Sequence, residues 1–213
     1  MTDRVRLLVL PTLAMLVTVA ILMALGTWQM QRLAWKTGMI ATVESRATAA
    51  PVDFPSTADW PSLNPEAVDY LPIRLEGRFR HADEVHVYWP LTEPKGPLGG
   101  PGYFVFTPLE RADGSLVFVN RGFVPDARKD PATRTQGQVE GIVRIEGLIR
   151  LAEAANAFTP PEDVARNRFY QRDPMIFAKA RKLDPAKVAP VFVDAAAAAT
   201  PAGGLPQAGE TLM

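Results

Sequence analysis

Cysteine and histidine, which often act in catalysis and metal binding, are absent or rare in this sequence. Its 213 residues include no cysteine and two histidines, His81 and His86. The missing cysteines exclude disulfides, thiolate zinc sites, iron–sulfur ligation, a thiol nucleophile and a cysteine-based copper relay. His86 lies on the Glu84 and Tyr88 side of an alternating segment. This placement predicts a solvent-facing or hydrogen-bonded histidine, and no second metal ligand is recognisable by spacing for either ring.

An arginine interrupts the most apolar stretch of the second half of the chain. Asn120-Arg121-Gly122 lies within Leu116–Phe123, which is apolar on both faces. We expect Arg121 to pair with a carboxylate and the following glycine to permit a β-bulge, which favours a structural role over catalysis. Glu162 and Asp163 are expected to be first-turn helix charges rather than a catalytic pair. With no G-x-S-x-G, P-loop or H-E-x-x-H motif, the sequence predicts no enzyme.

Charge and hydrophobic content limit the classes of partner. Lysine and arginine total 23, as do aspartate and glutamate, so the formal net charge is zero. A nucleic-acid partner is therefore not expected, because nothing supplies the basic surface that phosphates require. Hydrophobic residues make up 47% of the chain, which is enough to bury a core.

The apolar residues are concentrated near the start of the chain. Leu7–Gly26 has no charged residue, and twenty helical residues span about 30 Å, the thickness of the hydrocarbon layer of a bilayer. The segment is predicted to be an uncleaved transmembrane anchor with its N-terminus inside. Small residues at Ala24 and Gly26 leave a cleaved signal peptide as the alternative, although the apolar regions of such peptides are usually only about 7–15 residues long.

The second part of the chain alternates with period two, which is typical of β-strands. We predict an α+β fold that is mainly antiparallel β, a partly closed sheet or barrel of about six or seven strands with one or two helices, tethered by the N-terminal transmembrane helix. Asp113-Gly114 predicts a hairpin, and Asp173-Pro174 a helix start. The expected segments are a short cytoplasmic N-terminus (1–6), a transmembrane helix (7–26), a juxtamembrane neck and Pro-rich linker (27–68), a β-rich domain (69–194) and a disordered Ala/Pro/Gly-rich tail (195–213).

Two of the predicted strands share a sequence scheme. Ile73–Arg80 and Val143–Arg150 both follow apolar-Arg-apolar-Glu-Gly and end in arginine. The scheme indicates either two equivalent strands of a pseudo-symmetric sheet or two similar amphipathic strands that share a bulge-type glycine.

Taken in order, several motifs resemble the Surfeit locus protein 1 family over nearly the whole chain. Residues 26–36 (GTWQMQRLAWK) follow the membrane span and are similar to the family signature G-x-W-Q-x-x-R-x-x-W-K. The further matching segments are 75–79, 102–109, 119–125, 143–150 and 169–173. The resemblance marks nine family-motif residues as candidates for function: Trp28, Gln29, Arg32, Trp35, Lys36, Gly77, Asn120, Arg121 and Gly122.

The resemblance implies a role in assembly of haem–copper cytochrome c oxidase. It implies action during haem a insertion into subunit I or in stabilisation of that subunit, with haem a synthase as a further partner and haem a as a cofactor. For a prokaryotic source it implies the inner membrane, a cytoplasmic N-terminus and a periplasmic domain. The alternative function is a membrane-tethered protein-binding module without a cofactor.

The neck and the end of the chain leave alternatives open. The neck cations and tryptophans suit either an interfacial anchor belt or a docking site, whereas an anchor does not require the amide of Gln29. Family members normally continue into a second membrane helix, whose introductory segment is associated with the haem-related histidines. Because the sequence stops near that point, we expect a truncated gene, a fragment or a one-span variant. Neither His81 nor His86 is taken as a substitute ligand.

Overall fold

The computed structural model describes residues 2–211 and divides into a helical N-terminal unit and a β-rich unit that begins at Arg46. Helix α1 runs from Thr2 to Ala47 and contains Val9–Gly38, a stretch long and apolar enough to cross a membrane. This stretch overlaps the predicted span. The helix continues without a break through the predicted neck, because no glycine pair or proline interrupts the residues after Gly26.

Seven strands form the sheet of the second unit. They are β1 (Val52–Asp53), β2 (Pro72–Phe79), β3 (Val85–Leu91), β4 (Gly100–Glu110), β5 (Leu116–Pro125), β6 (Val143–Leu151) and β7 (Val188–Ala195). Two short helices, α2 (Pro65–Val68) and α3 (Pro174–Ala180), and several 3₁₀ turns connect them. The sheet order is β1-β2-β6-β7-β5-β4-β3, and an additional β2–β4 pairing closes the middle five strands into a barrel. The predicted fold class is confirmed.

Two glycines permit neighbouring strands to approach closely in this barrel. Gly77 lies where β2 meets β4, and a Cβ there would come within 2.3 Å of the Glu110 carbonyl oxygen. At Gly147 on β6, a Cβ would come within 2.2 Å of the carbonyl oxygen of Asp194 on β7. The two similar segments are antiparallel neighbours whose register is symmetric about the Leu75–Ile145 pair. The shared glycine therefore has the same role in both strands, because in each it lets the backbone of a neighbouring strand approach closely.

The barrel separates two hydrophobic clusters. One draws on all five barrel strands and includes Leu75, Leu109, Val119, Ile145 and Val193, so it fills the interior. The other is rich in phenylalanine and lies between the outer face of the sheet and helix α3. A barrel this small is filled by side chains, and its space for a ligand is confined to its ends.

The two turn predictions are confirmed. Strands β4 and β5 form a hairpin in which Gly114 takes a φ of +77°, and the Asp113 carboxylate accepts the Ser115 backbone N–H. Asp173 caps helix α3 by accepting the N–H of Met175, with proline at the first helical position. The helix ends at Ala180, three residues before the predicted end at Leu183.

The structure corrects both predicted ends of the domain. Within the predicted linker, β1 pairs with β2, and Phe54 is buried against the barrel and donates its N–H to the carbonyl of Arg74. The prediction of a disordered tail over 195–213 is wrong for 195–211, while Leu212 and Met213 lie outside the described residues. Gln207 forms a bridge with Phe123, and the Glu210 carboxylate accepts the N–H of Gly96 at 2.7 Å. Polar side chains hold this segment, so its Ala/Pro/Gly composition did not indicate its order.

Candidate functional site

Helix α1 places the five motif residues of the neck on one face. At about 100° per residue they fall within an arc of about 120°. They are Trp28, Gln29, Arg32, Trp35 and Lys36. The guanidinium of Arg32 lies 5.2 Å from the centroid of the Trp28 ring, and the side chains of the face are exposed within the helical unit. This geometry suits an interfacial belt and also a surface that docks another membrane protein.

The Asn120–Gly122 triplet forms a β-bulge, as expected. Phe123 pairs with Phe104 and Asn120 with Phe106, which leaves two residues of β5 opposite one residue of β4. Asn120 donates to the Asp194 carboxylate at 2.7 Å and accepts the N–H of Gly122. Gly122 has a φ of +118°, and a Cβ there would meet the Gln207 carbonyl oxygen at 2.0 Å. Asn120 and Gly122 therefore fix the strand and let the C-terminal segment pack against it.

The carboxylate partner expected for Arg121 is absent among the described residues, so that prediction is wrong. Arg121 is 5% exposed, and its guanidinium donates from Nη2 to the carbonyl oxygen of Gly137 and stacks 4.5 Å from the centroid of the Phe79 ring. Its Nη1 is buried and has no hydrogen-bond acceptor. Burial lowers the pKa of Arg121 to about 10, so the side chain remains a cation at neutral pH.

Arg121 lines a cavity of about 260 Å³ at one end of the barrel. Apolar side chains from the ends of three other barrel strands form much of the wall: Phe79, Val143, Ile145 and Ala195. The second charged residue of the wall is also an arginine, Arg144, and it is exposed and paired with Glu76 at 2.8 Å. Ends of β-barrels are common ligand sites, and this one combines an apolar wall with positive charge.

His86 belongs to a buried ion cluster that sequence analysis missed. Its Nε2 lies 2.6 Å from the Glu84 carboxylate, its Nδ1 lies 3.2 Å from the Asn167 amide nitrogen, and Glu84 also binds Arg134. A neutral ring that donates from Nε2 and accepts at Nδ1 satisfies both contacts, and burial lowers the pKa of His86. The solvent-facing alternative for His86 is wrong. No local pattern indicated Arg134, because it lies 50 residues from Glu84.

His81 lies at the barrel end beside Arg121. Its ring is 5.7 Å from that of Phe79, and Nε2 donates to the Val139 carbonyl at 2.8 Å. Its Nδ1 is buried and has no hydrogen-bond partner in the described part of the chain. Burial lowers the pKa of His81, and the positive charge of Arg121 lowers it further, while the bond to Val139 opposes these effects. His81 is therefore a neutral ring next to a cation.

Comparison with known proteins decides the family. The family model of the SURF1 family matches residues 16–212, which is most of the chain. The chain belongs to the SURF1 family. This result confirms the resemblance found in the ordered motifs, from the neck signature to the segment around Phe169.

Curated relatives of this SURF1-family chain are found in animals and in a unicellular eukaryote. Surfeit locus protein 1 of Rattus norvegicus is 36% identical over 197 residues, which cover 88% of this chain and 61% of the rat protein. The human protein is 35% identical over 198 residues, covering 88% and 63%. A SURF1-like protein of Monosiga brevicollis is 36% identical over 206 residues, covering 93% and 75%. The chain thus spans less than two thirds of the length of the mammalian relatives.

The two histidines of this SURF1-family chain do not fit the role of an axial haem ligand. Both ring nitrogens of His86 are engaged, and His86 is 4% exposed. The free nitrogen of His81 is buried near the charge of Arg121, which disfavours a positively charged iron. The adjoining cavity is also smaller than the roughly 300–1,000 Å³ of sites for drug-sized ligands.

Proposed function

We propose that this chain is a non-enzymatic, membrane-anchored assembly factor for haem–copper cytochrome c oxidase. It acts while haem a is inserted into subunit I or while that subunit is stabilised. The observation that carries this proposal is membership of the SURF1 family over residues 16–212. Subunit I is the proposed partner, with haem a synthase as a second one.

The anchor supports this assignment. Val9–Gly38 is long and apolar enough to cross a bilayer, and tryptophans and cations cluster toward its end as they do at membrane–water interfaces. We propose an inner-membrane location with a cytoplasmic N-terminus and the barrel on the periplasmic side. Because the two histidines of the domain do not fit haem, the proposed role does not require haem bound to the domain.

A complementation experiment tests the assembly role. Cells that lack their SURF1-family gene are given the full chain or a version in which residues 9–26 are replaced by an unrelated apolar span. Reduced-minus-oxidised spectra of membranes then report haem a. We expect loss of the haem a band in the deletion, persistence of the b- and c-type bands, and recovery with both versions. An undiminished haem a band in cells without a second family member would refute the assembly role.

The neck face is tested in the same cells. Gln29→Leu alters the one residue of the face that an anchor does not require, and Thr37→Val alters the opposite side of the same helix. If the face docks subunit I, the first variant lowers recovery of haem a and the second does not. Equal recovery by both, at matched membrane levels of the protein, would reduce the face to an interfacial anchor. A cofactor-free binding module remains the alternative if the haem a band does not depend on the chain at all.

A further inference from the structure

We propose that the cavity at the barrel end binds a single carboxylate carried on a short apolar group, with Arg121 as its anchoring residue. Such a site belongs to the β-rich unit alone, and it stands whether or not the chain acts on the oxidase. Its elements are a buried cation without a counter-ion and an apolar wall.

The unpaired charge of Arg121 is the first observation. A buried guanidinium is normally paired, because its desolvation is repaid only by a close anion and a full set of hydrogen bonds. The Arg121 guanidinium donates to one carbonyl oxygen and lies against one aromatic ring, while its Nη1 finds no acceptor among the described residues. A carboxylate that accepts from Nη1 would supply both the missing hydrogen bond and the missing charge. Because Nη1 is shielded from water, the guanidinium has to turn slightly into the cavity to meet it.

The surroundings of the cavity favour an anion over a cation or a neutral ligand. Among the lining residues none is acidic, and Arg144 is already paired with Glu76, so Arg121 supplies the charge that is left unpaired. Glu84, which acts electrostatically on Arg121, is already bonded to His86 and Arg134. This carboxylate is therefore committed elsewhere, and the charge of Arg121 is left for a molecule from outside the domain.

The wall also limits the body that carries the carboxylate. A cavity of about 260 Å³ lies below the roughly 300–1,000 Å³ typical of sites for drug-sized ligands, so the occupant is short. The surrounding side chains of Phe79, Val143, Ile145 and Ala195 offer no hydrogen bonds, so the body is apolar. Two sources fit this chemistry: a free short-chain carboxylic acid, and the C-terminal carboxylate of a polypeptide that ends in an apolar residue.

Calorimetric titration of the full chain in detergent micelles distinguishes these sources. The free-acid probe is hexanoate, with hexanamide as its uncharged match. The polypeptide probe is an acetylated tetrapeptide ending in Ala-Leu, with its C-terminal amide as the match. We expect one carboxylate probe to bind and its amide to bind at least about tenfold more weakly, because a charge-assisted hydrogen bond is roughly twice as strong as a neutral one.

Three variants assign the binding to this cavity. Arg121→Met removes the cation and is expected to weaken the carboxylate probe at least about tenfold. Arg144→Met removes the exposed arginine of the same wall and should change affinity less than about twofold. Ala199→Phe fills the cavity from its rim and should block binding while Arg121 stays in place. This last variant keeps the test decisive if Arg121→Met fails to fold.

Each outcome bears on the proposal. Binding of hexanoate alone assigns a free acid, and binding of the peptide alone assigns a polypeptide end. Binding that persists unchanged in both Arg121→Met and Ala199→Phe would overturn the proposal, since the probes would then sit elsewhere or in the micelle. Failure of both carboxylates to bind at tens of millimolar would overturn it too. Neither failure would affect the haem a spectra that test the assembly role.

Discussion

Two arginines in the barrel unit are equally buried and differently paired. Arg121 and Arg134 are each 5% exposed. Arg134 binds both oxygens of the Glu84 carboxylate and donates to the carbonyls of Arg128 and Lys129. Arg121 has the Gly137 carbonyl and the Phe79 ring. Arg134 belongs to the 3₁₀ segment Pro131–Gly137, and the Arg121 guanidinium donates to the last residue of that segment, so the two side chains meet the same short stretch of chain.

The comparison separates a structural charge from one that is available to a ligand. This chain does pair a buried guanidinium with a carboxylate where the pair holds elements together, as Glu84 and Arg134 join the start of β3 to the Pro131–Gly137 segment. At Arg121 no counter-ion is found among the described residues, and the side chain lines a cavity. A buried charge without a partner is costly, so its presence beside a cavity indicates a use other than stability.

The largest expected effect is on the paired arginine. Arg134→Met leaves the Glu84 carboxylate buried without its counter-ion, and breaking a buried pair this way costs about 3–5 kcal/mol. Urea unfolding of the full chain in micelles, followed by near-ultraviolet circular dichroism, measures the loss. Arg144→Met is the control, because its pair with Glu76 is exposed and contributes less than about 1 kcal/mol. A loss at Arg134 no larger than that control would remove the distinction between the two arginines.

A smaller loss is expected at the bulge that positions Arg121. Gly122→Ala puts a Cβ at a φ of +118° and within 2.0 Å of the Gln207 carbonyl, and it should cost about 2–3 kcal/mol. Gly114→Ala is the matched control. Gly114 also has a positive φ, +77°, but nothing lies within 4 Å of its added Cβ, so strain alone costs about 1–2 kcal/mol. Equal losses in the same unfolding assay would show that the contact with the C-terminal segment contributes nothing.

Much of the barrel could be predicted from local pattern, whereas the pairing of its buried charges could not. Alternation, the Asp113-Gly114 turn and the Asp173 cap act over a few residues, so their signals are visible in the sequence. The carboxylate expected for Arg121 was inferred from a general rule about buried arginines. The structure instead gives a carboxylate to Arg134, through a contact that closes a loop of 50 residues. No short-range pattern shows which arginine obtains it, and the polar contacts that order Gln207 and Glu210 join residues that are still farther apart in sequence.

The ion cluster predicts a pH dependence that the unpaired arginine does not share. Burial lowers the pKa of His86 below 6.5, so the folded state holds fewer protons than the unfolded state and stability falls as the pH drops below about 6.5. Burial raises the pKa of the Glu84 carboxyl, but hydrogen bonds from His86 and Arg134 outweigh this effect and lower that pKa from 4.5 to about 2. The stability that the ionised Glu84 contributes is therefore lost as the pH falls between those two values. Lys129 and Arg134 also face His86.

Unfolding curves measured from pH 7 to 5 isolate the histidine contribution. His86→Gln keeps a donor for Glu84 but cannot titrate. The wild type should therefore lose stability relative to this variant as the pH falls. His81→Gln is the companion variant, since burial also lowers the pKa of His81. A pH-independent difference for His86→Gln would show that the pKa of His86 is the same in the folded and unfolded states, and that burial does not lower it.

The smallest expected effect is on the free energy of unfolding when the unpaired arginine, Arg121, is replaced. Arg121→Met gives up the bond to Gly137 and the contact with Phe79, but it also removes a desolvated charge, and apolar replacement of buried charges is often neutral or stabilising. We therefore expect the free energy of unfolding to change by less than about 1 kcal/mol, measured beside Arg134→Met in the same micelles. A loss of about 3 kcal/mol or more would make Arg121 as structural as Arg134, because the surrounding fold would then depend on its charge. A near-neutral result would leave ligand binding as the role of a cation that the fold itself does not require.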